Sequence, residues 1–413
     1  MRLLLLALRN LGRNRRRTLL SLAVVAAGTI GLVLTAGFIR FSFDGLREAL
    51  IHGGLGHFEV ARRAAVEGRG TALDRAASEG IAEWQGLRQE IERLPHVLAA
   101  GGNQHAMGLV STPAGRSVSF IGVGSEPERD RRMGFAMQLR AGEALPDAPP
   151  VPGEDGVLLA VGLAESLGVR PGDTVTLMTL NADGLLNALD ARVRGIVTTG
   201  VADLDTRFLK AHLASTQRLL QTESVSDLIV TFDSVASADA GRGALAAAIA
   251  SQGDLSLVDW RARAPFFDQV RNLYLGIFWF LGAIIFMLVV LSASNTLVMT
   301  VMERVREIGT LRAIGTSGGQ VAGLILGEAL WLGLIGGVIG DVLGVALIRA
   351  INALDLKMPP PPGAVSAIDL RLAIVPQALY GAAGLMLLVL ALASLAPIAR
   401  SLRLRIAEAL AHV

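Results

Sequence analysis

The chain has 413 residues, of which 52% are hydrophobic and only 18% charged, with 47 glycines and a mean hydropathy of +0.51. A soluble globular chain carries about 25% charged residues, so this composition, together with uncharged runs longer than a globular helix, excludes a wholly soluble protein. Zero cysteines exclude disulfides, thiolate metal sites and cysteine nucleophiles. The formal net charge is +2, and lysine occurs only at Lys210 and Lys357. Where the arginines sit therefore matters more than their sum.

In chain order, Arg9, Arg13, Arg15, Arg16 and Arg17 make residues 1–17 basic. Residues 18–39, Thr18 to Ile39, follow without a charge and can cross a hydrocarbon core, which takes roughly 20 apolar residues. A cleaved signal peptide has an apolar region of about 7–15 residues followed by an A-x-A site. This run is longer and no such site follows it, so it reads as a retained anchor.

Residues 40–272 have an ordinary mixed composition and are expected to form a large α+β domain. Gly56 to Arg63 alternates like a strand, and Gly86 to Leu94 reads as an amphipathic helix stopped by Pro95. Strands are predicted near Met107 to Thr112 and over Ser117 to Gly124, around a Pro113–Arg116 turn. Pro146 to Gly156 reads as a linker or exposed loop. Beyond it come a strand and helix over Gly156 to Val169, then strands over Thr174 to Leu180, Ala191 to Val201 and Leu228 to Ser234. A helix over 238–250 and a strand over Leu255 to Trp260 close the segment. Strand–helix–strand pieces at both ends, with β-rich material between, predict one α+β domain interrupted by another.

Three more spans are expected: residues 273–302, 321–349 and 374–398, the last with Pro376 and Pro397 near its ends, where proline disturbs a helix least. The second span is longer than a bilayer needs, so it should tilt or project. Residues 303–320 connect spans two and three, 350–373 form a short loop, and 399–413 a tail. Arg304, Arg306 and Arg312, with Arg400, Arg403 and Arg405, join the first cluster on one side of four alternating spans. The excess of positive charge in cytoplasmic loops places both termini inside and 40–272 outside.

Several chemistries lack their motifs. A phosphate-cradling loop needs GxxxxGK[ST], but both lysines follow a leucine, so no ATPase site is expected in this chain. The six histidines form no HExxH pair or zinc spacing, and a metal shared by His52 and His57 is disfavoured. No G-x-S-x-G elbow is present. No catalytic, metal or cofactor residue is assigned.

The segment Met302 to Gln320 carries the functional reading. Val305, Ile308 and Leu311 are spaced as an apolar helical stripe. Glu303, Arg304, Arg306, Glu307 and Arg312 surround it, and Gly309, Ala313 and Gly315 lie along or after it. One reading is a charged connector. The other is a short amphipathic helix that presses its stripe into a groove on a cytosolic partner and transmits a push.

The run from Glu303 to Gly315, ER-x-REIG-x-LRAIG, closely resembles the coupling segment of the permease superfamily of ABC transporters that contains LolC/LolE, MacB and FtsX. Ala7 to Ser21 resembles that superfamily's elbow helix, Glu328 and the residues after it its third-span signature, and Ser394 to Leu410 its carboxyl end. At that end Ile406-Ala407 replaces a proline that often precedes the final Glu-Ala-Leu. The resemblance implies four transmembrane helices with a large extracytoplasmic domain between helices 1 and 2. That domain would pair a porter-like unit with a β-rich insert. It also implies a bacterial inner-membrane location, a second permease copy or paralogue, and a separate cytosolic ATPase that binds ATP and Mg. Extraction or export of lipoprotein or other amphiphilic cargo, with a periplasmic carrier or membrane-fusion protein as a further partner, is the leading functional expectation. Alternatives are a MacB-like efflux permease and an FtsX-like regulator of a cell-wall hydrolase.

In span three, Gly336, Gly340 and Gly344 form consecutive small-xxx-small steps suited to close helix contact. Glu328 and Asp341, thirteen residues and about 220° apart on a helix, are expected to face protein, water or headgroups rather than lipid. Glu328 is expected to be a buried hydrogen-bond anchor, with Asn295 of span two as a possible partner.

Overall fold

The computed structural model describes residues 7, 9, 15–67, 80–134, 137–181, 183–200, 202–250, 252–358 and 368–403. Most of the elbow segment, residues 359–367 of the last loop and the carboxyl end from 404, with Ile406 and Ala407, lie outside the described residues. The chain divides into a helical unit, Met1–Asp44, Val270–Lys357 and Asp369–Val413, and a sheet-bearing unit, Gly45–Gln269 with Met358–Ile368.

Helix α1 (Arg15–Leu50) holds the first apolar run and continues well past Ile39. The charges that end the lipid-compatible stretch do not end the helix: Arg40 and Asp44, four apart on one face, pair at 2.6 Å.

Among its described residues from Phe58 to Asp259, the sheet-bearing unit contains two sheets that share one strand. Strand β1 (Phe58–Arg62), helix α2 (Trp84–Glu92) and strand β2 (Val97–Ser111) come first. Then follow β3 (Ser117–Ser125), α3 (Pro127–Arg132), β4 (Gln138–Gly142), β5 (Gly156–Ala160), α4 (Val161–Leu167), β6 (Thr174–Leu180), β7 (Leu186–Thr198), β8 (Phe208–His212) and α5 (Leu213–Leu220). Strand β9 (Asp227–Phe232), helix α6 (Val235–Ala250) and strand β10 (Leu255–Asp259) close it.

The first sheet has the order β10-β1-β9-β2, every neighbour antiparallel. With α2 between β1 and β2, and α6 between β9 and β10, this is a split βαβ arrangement of the ferredoxin-like kind. Its core buries Phe58, Val60 and Phe232 of the sheet against Trp84, Leu87 and Ile91 of α2 and Leu245 and Ile249 of α6. The second sheet is inserted between β2 and β9. Its pairings run β2-β3-β8-β5-β7-β6 and back to β2, so six strands close on themselves. Closure removes edges, and β4 adds one short exposed strand outside the ring. The interrupted α+β organisation expected from the sequence is present. Strands β4 and β8 and helices α3 and α5 had no expectation, and β2 begins ten residues before the predicted Met107. Its first half, VLAAGGNQHA, has weak strand propensity, but pairing there overrides propensity.

Strand β2 changes partners from β9 to β3 at Asn103 and Gln104, and a buried polar node marks the change. Arg129 of α3 donates to the Gly102 carbonyl at 3.0 Å and to the Asn103 side-chain oxygen at 2.8 Å. Asp130 accepts from Arg129, from Ser125 Oγ at 2.6 Å and from Lys210 Nζ at 2.5 Å. His105 pairs through Nε2 with Asp227 at 2.7 Å, and its backbone N–H donates to Ser226 Oγ. These contacts tie β2, β3, α3, β8 and β9 together at the junction of the two sheets.

The helical unit continues with α7 (Pro265–Glu303), α8 (Val305–Ala313), α9 (Gly318–Ala353), α10 (Pro376–Ala393) and α11 (Leu395–Arg403). Among the described residues, four stretches are long and apolar enough to cross a membrane: Thr18–Leu55, Phe266–Glu303, Gly318–Ala353 and Pro376–Arg403. The glycines of α9 set their spacing. Gly336, Gly340 and Gly344 face Val25, Thr29 and Val33 of α1, and Gly333 and Gly337 face Leu387 and Ala383 of α10. A Cβ at Gly340 would stand 2.5 Å from Thr29 Cβ and 2.8 Å from the Ala26 carbonyl oxygen. Around this crossing, Val25, Val289, Ala329, Leu332, Met386 and Val389 share one buried cluster.

Candidate coupling site

Helix α7 ends at Glu303 because Arg304 leaves helical geometry, with φ −107° and ψ 14°. Helix α8 resumes at once and ends at Ala313, and Gly315 then adopts φ +100°, a conformation that favours glycine. Ser317 restarts the chain as α9 with a reciprocal cap: its hydroxyl accepts from Gln320 N–H at 3.3 Å, and Gln320 Oε1 accepts from Ser317 N–H at 3.0 Å. Helix α8 is thus a separate short rod between two joints.

The stripe predicted to face a partner is occupied within the chain. Val305 and Ile308 are buried, and Ile308 packs with Val301, Val321 and Ile325 beside Ile398 of α11. Gly309 is buried as well. Of the predicted stripe, Val305 and Ile308 thus face the chain's own helices, while Leu311 stays exposed. The rod turns that face inward because α7, α9 and α11 offer apolar surface there. What remains outward is Glu303, Arg306, Glu307, Thr310, Leu311, Ala313, Ile314 and Gly315, with Arg312 half-buried. Ile314 is 75% exposed, the most prominent apolar side chain of this face. Sequence reasoning missed it because it lies on the loop side of the stripe.

Glu328 is 8% exposed and accepts from Arg304 Nη1 at 2.9 Å. Arg304 Nε also donates to Glu307 at 3.1 Å. Burial works against the Arg304 charge, but the Glu328 and Glu307 carboxylates outweigh it and hold the guanidinium above its ordinary range. Asn295, the partner expected for Glu328, lies on an exposed face of α7 instead. The sequence held both charges of the real pair, but a separation of 24 residues follows no helical period. Asp341 Oδ1 is buried without a hydrogen-bond partner among the described residues. No group of three His, Asp or Glu side chains among the described residues is placed to hold a metal.

A family model for the FtsX-like permease C-terminal region matches residues 279–406, and one for the MacB-like periplasmic core domain matches residues 18–248. The chain belongs to the ABC transporter permeases of the FtsX, LolC and MacB type, a family whose members imply an ATPase partner. Among its relatives is the lipoprotein-releasing system transmembrane protein LolC of Neisseria meningitidis serogroup B, 24% identical over 64% of this chain and 64% of that protein. An uncharacterised ABC transporter permease of Methanocaldococcus jannaschii is 38% identical over 16% of each chain. The chain thus spans less than two thirds of the length of these relatives. Among solved structures, the periplasmic region of MacB from Actinobacillus actinomycetemcomitans is similar, with a TM-score of 0.38 and 13% identity over 53% of this chain and 95% of that one. The extracellular domain of the noncanonic ABC-type transporter YknZ has a TM-score of 0.33 and 12% identity over 49% of this chain and 99% of that one.

Proposed function

We propose that this permease, with both termini in the cytoplasm of a bacterial inner membrane, couples ATP hydrolysis by a separate cytosolic ATPase to movement of its sheet-bearing domain. The observation that carries this reading is helix α8, a short rod between two spans whose outward face combines Arg306, Glu307, Leu311 and Ile314. An apolar centre ringed by mixed charge is the composition of a specific docking surface. Two permease copies, or this chain and a paralogue, stand on two ATPase subunits, which bind the ATP and Mg that this chain has no loop to hold. The moving domains extract lipoprotein or another amphiphilic cargo and pass it to a periplasmic carrier, a reading supported by the likeness to a lipoprotein-releasing protein.

The test is co-purification with the cognate ATPase. Changing Ile314 to Asp places a charge at the centre of the exposed face and should lower ATPase association at least tenfold, because a charge buried unpaired at an interface weakens binding by several kcal/mol. Changing the exposed Met299 of α7 to Ala serves as control and should leave association intact. Full association of the Ile314→Asp protein would defeat this reading.

A further inference from the structure

The two ends of helix α8 are both joints, yet the rod does not hang loose. Apolar packing of Ile308 against Val301, Val321 and Ile325 holds it down, but such contact is non-directional and lets a short helix rock. A directional contact is added to it: Arg304, at the first joint, holds Glu307 of α8 and reaches Glu328. Glu328 lies eleven residues beyond the Ser317 cap, about 16 Å along α9. The pair therefore bypasses the Gly315 joint and connects the rod to the body of the span.

The location of Glu328 on α9 gives this contact a destination. Residues 328, 332, 336, 340 and 344 are successive four-residue steps, a single ridge of the helix. Gly336, Gly340 and Gly344 of that ridge receive Val25, Thr29 and Val33 of α1. A load entering at Arg304 is applied to the same ridge that grips the first span. Glu328 is mostly buried, and the guanidinium that reaches it is 23% exposed, so water screens the contact little.

We propose that the Arg304–Glu328 pair is a clamp that makes helix α8 and span helix α9 move as one body, with Arg304 and Glu328 as positioning residues for coupling. The proposal rests on the coupling role assigned to α8 above. Without the clamp, α8 would pivot between Arg304 and Gly315, and a push on Ile314 would be absorbed at the joints instead of reaching the glycine ridge.

The natural absence of cysteine allows a direct test on the full chain in lipid nanodiscs. Spin labels on Thr310→Cys and Gly323→Cys, both exposed, report the distance between α8 and α9 by pulsed electron resonance. With Glu328→Gln the distance distribution should broaden at least twofold. Arg304→Lys keeps the charge but loses the planar fork, and should broaden it by a smaller factor. An unchanged distribution in both variants overturns the clamp, and should Glu328→Gln fail to insert, Arg304→Lys alone decides. With the ATPase present, either variant should still associate but release at least fivefold less cargo for each ATP hydrolysed; an unchanged ratio likewise overturns the proposal. The label measurement needs no ATPase. Failure of the coupling reading is separately visible as a wild-type chain that binds no ABC ATPase.

Discussion

Asp130 shows how much a single residue carries in the sheet-bearing unit. It is almost fully buried, and burial alone would push its carboxyl up, but Arg129 and Lys210 beside it hold it below the ordinary value of 3.8. Changing Asp130 to Asn leaves both cations facing a neutral amide in a buried site, and should destabilise the unit by about 3–5 kcal/mol. Denaturant unfolding followed by tryptophan emission from Trp84 and Trp260 measures this. His57 and His212 have the opposite chemistry: burial, joined at His57 by the nearby His52, lowers both below the ordinary 6.5. The unfolded chain then binds more protons than the folded one once pH falls below about 6.5, so stability should fall from pH 7 to pH 5. Asp130, with a depressed folded value, adds a further loss only as pH drops below 3.8. His212 caps α5 by accepting from Ala214 N–H at 3.1 Å. His212→Asn keeps a good cap and should flatten the slope between pH 7 and 5 in thermal midpoints. A slope identical to wild type would show that His212 does not contribute. The long-range partners were not legible in the sequence, because Asp130 with Lys210 and His105 with Asp227 meet only when the elements pack.

At the scale of elements, the glycine ridge of α9 was legible and its partner was not. Small residues at a four-residue period announce close packing, but only the folded unit shows α1 on one glycine face and α10 on the other. Gly340→Leu should force α1 away, since its Cβ would already meet Thr29 and Ala26. Overpacking of this kind costs about 1–3 kcal/mol, visible as a lowered thermal midpoint in detergent. Leucine at the neighbouring exposed Val342 should change little. Helix α8 teaches the converse. Its period was readable, but which face turned inward depended on the apolar surfaces of α7, α9 and α11. Ile308→Asp should therefore damage the helical unit itself, lowering yield and midpoint before any partner is added, whereas Ile314→Asp should purify normally and fail only at association.

For the whole molecule the expected topology has a clean test. From the arginine clusters, both termini and residues 303–320 are expected inside, and 40–272 outside. On the cysteine-free background, an impermeant thiol reagent on intact cells should label Gly184→Cys with the outer membrane permeabilised, and should miss Thr316→Cys until the inner membrane is opened. The reverse pattern would invert the protein. The purified chain should also show no ATP hydrolysis of its own, for want of a phosphate loop, and full hydrolysis by a contaminant-free preparation would contradict this.

The sequence alone determined the number of spans, the soluble segment between the first two, and the family, because these rest on local quantities: length of apolar runs, position of charge, and one motif whose residues are adjacent. It also determined that the segment between the first two spans was one α+β domain split by another, since strand and helix periods are local as well. Tertiary structure decided everything that depends on residues distant in the chain. Closure of the six-stranded ring, the change of partner along β2, the inward turn of Ile308 and the pairing of Glu328 with Arg304 rather than Asn295 are all of this kind. The physical reason is the same in each case. A buried charge or an apolar face needs a partner, and the sequence states the need, but which partner meets it is fixed only when the elements pack.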